Sequence, residues 1–312
     1  MISYRAPGKI ILSGEHSVVY TKPAFVTAIA YHLRFSIDDK FENKIDPKID
    51  RAVRFCEKIV LQYLRKKDPK LKAKDFKYEI NSNIPAGRGM GSSAAFCVGT
   101  VASLLHFYTG HTHKKEIINS LAYLCEKYFH KMPSGVDVSA SCFGGLIFYR
   151  KEFEFLKNIS ALNFKIPKSF TDRLVLIDTG QPEETTGEMI KIVKDKYNLN
   201  PEKMDEVLAD IEKVTKRMVV SIVKEDFSLF TDCLDNNQAL LDDLGIVSKK
   251  TQKMIKSLSK YGVGKVTGAG GVKDGSGLIL FAVKDTKYIS ELSKKYSLFK
   301  IEQDLEGVRK VN

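Results

Sequence analysis

The stretch that most limits what this chain can fold into is PAGRGMGSSAA, residues 85–95, because of what stands on either side of it. Before it, Phe76, Tyr78 and Ile80 alternate with Lys77, Glu79 and Asn81, the period of a strand with one buried face. After it, Ala94, Ala95, Val98, Val101, Leu104 and Leu105 fall at the spacing of a buried helix from 92 to about 108, and Gly110 stands where such a helix would stop. A strand that passes into a helix through glycines 87, 89 and 91 lets backbone amides and the positive end of a helix dipole converge on one point. A phosphate chain is the natural guest there. Two common phosphate motifs are excluded: GxxxxGK(S/T) is absent, and Ser92 stands where GxGxxG needs its third glycine. A plain glycine-rich turn is the bland alternative, and the strand, serine pair and helix around it disfavour that.

The rest of the chain alternates the two kinds of element. A second helix is expected over 114–130, from Ile117, Ile118, Leu121, Leu124, Cys125 and Tyr128, followed by a turn at Met132, Pro133, Ser134 and Gly135 and a strand over 144–150. Later come a strand at 173–177, a helix opening at Asn200 and Pro201, and another ending near Gly245. A helix capped by Ser248 is expected to stop at Gly262. A glycine loop at 267–271, a strand at 278–283, a helix at 287–296 and a strand at 299–302 complete the order. With 312 residues, 43% of them hydrophobic, the chain has material for two cores of about 150 residues each. The fold class is α+β, in two mixed layers, with units expected at 1–165 and 166–312.

Three further segments carry chemistry. In PSGVDVSAS, Asp137 could accept or orient a hydroxyl proton, although a lone aspartate is more often a surface residue. Eleven residues earlier Glu126 shares a helix with Leu124 and Cys125; turned inward, it would suit a magnesium ion, and turned outward it is a solvated residue beside Lys127. In RAPGKIILSGEHSVVY, Lys9 offers a compact cation for developing negative charge, and Gly14 turns the chain so that Glu15 and His16 can face a cleft. KVTGAGG, residues 265–271, is a second glycine loop able to cover phosphates or substrate.

Other classes fit less well. The formal charge of +12 and the basic run Arg65, Lys66, Lys67, Lys70, Lys72, Lys74, Lys77 raise nucleic-acid binding. Asp68, Pro69 and Asp75 interrupt that run, and no glycine-aromatic RNA signature accompanies it, so a solvated connection is expected. His111 and His113 lie on a polar turn without a third ligand. Cys56, Cys97, Cys125, Cys142 and Cys233 are odd in number and never spaced CxxC, which suits buried reduced thiols. Neither an export signal nor a run of about 18 apolar residues is seen, so a cytoplasmic protein without membrane contact is expected.

Taken in order and separation, the four segments resemble the galactokinase, homoserine kinase, mevalonate kinase and phosphomevalonate kinase (GHMP) superfamily across nearly the whole chain, and APGKIILSGEHSVVY resembles the mevalonate kinase branch most closely. The resemblance implies a two-domain GHMP kinase fold, with an N-terminal domain like a ribosomal-protein domain (S5 domain 2-like), a C-terminal ferredoxin-like domain and the site between them. It implies ATP and Mg2+ as cofactors and mevalonate as the acceptor, with no nucleic-acid partner and a possible homodimer. By matching position it makes Asp137 the catalytic carboxylate and Lys9 its cationic partner. Gly87, Arg88, Gly89, Met90, Gly91, Ser92, Ser93 and Ala94 would cradle the phosphates, with Gly268, Ala269 and Gly270 over them. Ser93 and Glu126 would hold magnesium, and Glu15, His16 and Thr185 would line the acceptor side. The chain departs from the common pattern at Val272, Lys273 and Asp274 after GAGG, and at Glu183 before Thr185. Glu15, Glu183 and Glu184 are expected to repel a phosphorylated acceptor unless basic residues intervene.

Overall fold

A computed structural model describes residues 1–42, 46–130, 133–154 and 156–311. Strands β1 (Ile2–Ser13) and β2 (Ala24–Ile37) form a long antiparallel pair, with a register shift between Pro7 and Gly8. The free edge of β2 is shared by β3 (Tyr78–Ser82), opposite residues 33–37, and β4 (Leu146–Lys151), opposite residues 24–27; β5 (Lys157–Leu162) follows on β4. Helices α1 (Pro47–Leu64), α2 (Ser92–Thr109), α3 (Lys115–Glu126) and α4 (Val136–Phe143) cover this sheet, and α2 lies at their centre, against β1, β2 and the other three helices. That position explains its composition: it is apolar on nearly every side, as a helix surrounded by protein must be.

A second antiparallel sheet has the order β7 (Gly262–Thr267), β8 (Leu278–Val283), β6 (Leu174–Asp178), β9 (Leu298–Lys300). With it go α5 (Lys168–Thr171), α6 (Thr186–Leu199), α7 (Pro201–Val223), α8 (Phe227–Leu244), α9 (Lys249–Leu258) and α10 (Lys287–Ser293). Helices α7 and α8 pack together, α8 against β7 and α7 against β1 and β2, so one large apolar cluster spans both sheets, from Ile10, Leu12 and Phe25 through Met218 and Phe230 to Leu176 and Leu280. The tail, expected with the second unit, goes back to the first sheet: β10 (Arg309–Lys310) pairs with β1, and buried Asp304 accepts hydrogen bonds from His32, Arg309 and the Gly307 amide. Those donors hold its carboxyl far below the usual range.

Several boundaries differ from the sequence expectation. Helix α3 stops at Glu126 instead of 130, and the residues after it form a turn in which the amides of Phe129 and His130 bond the Glu126 carbonyl. Gly262 does not end α9, which stops at Leu258; it begins β7, where a Cβ would lie 2.0 Å from the Ala282 carbonyl oxygen. Strand β5 was not foreseen. Of the expected turn at 132–135, Met132 lies outside the described residues. All five cysteines are buried thiols, and no helix among the described residues is long and apolar enough to cross a membrane.

Candidate active site

The site forms where β1, the start of α2, the start of α4 and the end of β7 meet. Lys9 is carried on β1 with its side chain only 2% exposed; its Nζ donates to the Gly89 carbonyl at 2.9 Å and stands 3.2 Å from Asp137 Oδ2. Backbone also fixes the approach, since the Lys9 amide donates to the Met90 carbonyl at 2.9 Å. Asp137 lies in the first turn of α4 and keeps 30% of its side chain exposed, so one oxygen faces Lys9 while the carboxylate stays reachable from solvent.

The glycine-rich loop enters its helix as predicted. Gly87, Gly89 and Gly91 all have positive φ, and Gly91 is the N-cap of α2, which has no side-chain cap. At Gly91 the glycine is required twice over: φ is +72°, and a Cβ would stand 2.9 Å from Lys9 Cγ. The amides opening α2 are left for a ligand. The second glycine loop lies on the first: a Cβ on Gly89 would meet the Thr267 carbonyl oxygen at 3.2 Å, and one on Gly268 would meet Gly89 Cα at 3.3 Å. Ala269 accepts a hydrogen bond from His16 Nε2 at 2.9 Å, and Gly270, at φ +76°, fits against the Ile246 carbonyl.

Glu126 has turned inward. It is 2% exposed, its Oε2 has no hydrogen-bond partner, and burial raises its carboxyl to about 8, with Asp137 adding to the rise and Lys9 opposing it. An orphaned buried carboxylate oxygen beside a second acid suits a hard cation. Ser93 Oγ is 3.2 Å from His130 Nε2. Burial holds that imidazole below its ordinary value, Asp137 pulling it up and Lys9 down. His130 was missed because the expected helix ran through it; its spacing four residues after Glu126 and three before Pro133 was the available signal.

The expected acceptor residues fare differently. His16 is buried with φ 57° and ψ −40°, an unusual backbone for a non-glycine residue, and burial keeps its imidazole neutral-leaning. Glu15 does not face the cleft: it forms a fully buried pair with Lys265 of β7. Burial pushes the Glu15 carboxyl up and the Lys265 ammonium down, each opposed by the other. Thr185 is exposed and caps α6 in a reciprocal box with Glu188, a Thr-x-x-Glu signal legible in the sequence. Arg88 reaches across to Asp178 at 3.2 Å, and a Cβ on Gly87 would meet Gln181; neither partner was foreseen. The expected repulsion of a phosphorylated acceptor loses its basis. Glu15 is paired with Lys265, Glu183 lies 3.4 Å from Lys273, and Glu184 accepts from the amides of Val272 and Lys273, so each of the three carboxylates has a partner within the fold.

Residues 54–145 match the model of the GHMP kinases N terminal domain. The chain is 30% identical to the mevalonate kinase of Pyrococcus abyssi over 299 residues, 85% of each protein. The chain belongs to the mevalonate kinase family. Solved structures of that family share its fold: the Methanococcus jannaschii mevalonate kinase superposes with a TM-score of 0.75 at 22% identity, over 99% of this chain and 98% of that one. The L. major mevalonate kinase, solved in complex with R-mevalonate, also gives 0.75, at 20% identity over 96% and 95%. The family carries the alcohol-phosphorylating chemistry of small-molecule kinases, and its members use ATP.

Proposed function

We propose that this chain transfers the γ-phosphoryl group of ATP to the 5-hydroxyl of mevalonate by direct in-line attack. The observation that carries this is the Lys9–Asp137 pair, 3.2 Å apart beside two stacked glycine loops and an uncapped helix start. Amides of residues 87–94 hold the phosphates, helped by the dipole of α2, with Gly268, Ala269 and Gly270 closing over them. Asp137 orients the acceptor hydroxyl and takes its proton. Lys9 holds positive charge at the same oxygen as negative charge builds.

Ser93 and Glu126 would hold magnesium, whose contribution is to neutralise phosphate charge. Glu126 must give up its proton to do so. His16 and the 268–270 loop border the acceptor, and the hydroxyl of Thr185 would join them only by leaving its helix cap. The experiment is ADP release with mevalonate, 5-phosphomevalonate and galactose at fixed Mg-ATP, with the product identified by phosphorus NMR. Mevalonate should be preferred and carry phosphate at the primary alcohol. Preference for another acceptor refutes the substrate and leaves the kinase; no ADP with any alcohol refutes both.

A further inference from the structure

We propose that Lys265 is a positioning residue for phosphoryl transfer, acting through Glu15 on Lys9; the proposal rests on the kinase reading of the site. Lys265 belongs to β7, in the second sheet, while Glu15 follows β1 in the first. Both side chains are completely buried, and Lys265 Nζ donates to Glu15 Oε1 and, at 3.3 Å, to the Ile11 carbonyl. Around them the two sheets are stitched by polar contacts. Thr267 Oγ1 bonds both the amide and the carbonyl of Ile11, at 2.9 and 3.0 Å, and His16 bonds Ala269.

Such a pair is a poor choice for holding two sheets together. Removing two charges from water costs several kcal/mol, and an apolar pair of similar volume commonly serves stability as well or better. Its placement suggests a different use. Glu15 Oε2 is buried without a hydrogen-bond partner, and the Lys9 charge acts on both Glu15 and Lys265. Two cation–carboxylate pairs therefore stand near one another, Lys265 with Glu15 and Lys9 with Asp137. Lys9, itself nearly unexposed, pairs with Asp137 and holds its ammonium against the Gly89 carbonyl, while Lys265 reaches the carbonyl of Ile11, two residues further along the same strand.

Taking away Lys265 leaves Glu15 with Lys9 as its nearest cation and draws that ammonium back from Asp137. Taking away the Glu15 charge leaves two buried ammonium groups without that carboxylate to offset their repulsion. Either change misplaces the charge at the acceptor oxygen. Neither touches the loop amides that hold the phosphates.

The test compares Lys265→Met, Glu15→Gln and the double variant with wild type, measuring kcat, KM for Mg-ATP and the binding of Mg-ATP by calorimetry. Each single variant should lose roughly tenfold or more in kcat, with the nucleotide constants within about threefold, the pattern of an interaction made in the transition state. In the double variant the loss should be no greater than that of Glu15→Gln alone and smaller than the two single losses combined, because Lys265 and Glu15 act as one pair. A purely structural pair would lower Tm and leave kcat per nucleotide-binding site near wild type, which overturns the proposal. So would additive losses, or a loss confined to nucleotide binding. If Lys265→Met does not fold, the uncharged double variant still decides by its comparison with Glu15→Gln. Wild type that releases no ADP with any alcohol defeats the kinase reading; wild type that turns over beside unaffected variants defeats only the role of Lys265.

Discussion

Replacing Asp137 by Asn keeps the shape of the side chain and removes its charge and its ability to take a proton. Two costs follow, and their sizes differ. The first is the loss of the partner of Lys9, at 3.2 Å and with Asp137 30% exposed. A pair about 4 Å apart is worth about 1 kcal/mol in water and about 4 near a protein surface. Exposure discounts the upper figure, and relief of Glu126, whose carboxyl Asp137 helps to raise, offsets part of it. A stability change of about 1–2 kcal/mol is expected, read from denaturant midpoints. The second cost falls on the reaction. A positioned proton acceptor contributes roughly 10²- to 10⁴-fold, or about 3–5 kcal/mol of barrier. Asp137→Asn should therefore lose at least about a hundredfold in kcat while binding Mg-ATP almost as wild type does, since no phosphate contact is touched. Single-turnover quench flow separates chemistry from release. A variant with kcat within about tenfold of wild type would show that proton transfer does not pass through Asp137.

Other perturbations test the remaining parts. Glu126 has a folded-state pKa of about 8 against an ordinary 4.5. The folded state therefore binds the extra proton, and nucleotide-free protein should lose stability as pH rises from 4.5 towards 8. Glu126→Gln should flatten that part of the Tm–pH curve and raise the magnesium requirement; an unaltered curve would mean that Glu126 is not the buried acid. Gly91→Ala places a Cβ 2.9 Å from Lys9 Cγ at φ +72°, so about 1–2 kcal/mol of backbone strain is expected together with a fall in kcat; full activity would show that Lys9 tolerates displacement. Thr185→Ala should cost about 1 kcal/mol through the lost cap of α6. A large rise in KM for mevalonate at unchanged Tm would instead make Thr185 a substrate ligand.

Much of this site was legible in local sequence because local rules govern its parts. Glycines at 87, 89 and 91 followed by Ser92 describe a loop entering a helix whatever else the chain does, and Ser248 and Asn200 mark helix starts by the same short-range logic. The strand of Gly262–Thr267 was hidden, because its two glycines look like loop residues. Only their partners, the Ala282 carbonyl at Gly262 and the Phe281 ring at Gly264, show that the glycines make room for close pairing.

Charge was the least legible property. Whether Glu126 points inward, and whether Glu15 meets substrate or Lys265, depends on residues 11 and 250 positions away. No periodicity encodes those distances. The sequence by itself determined the glycine loop that opens a helix, the family and the residue types that can do the chemistry, since each rests on a contiguous segment. The tertiary structure alone decided which carboxyl is paired, which is orphaned and which remains open to solvent, because the energy of a charge is set by the burial and partners that folding brings to it.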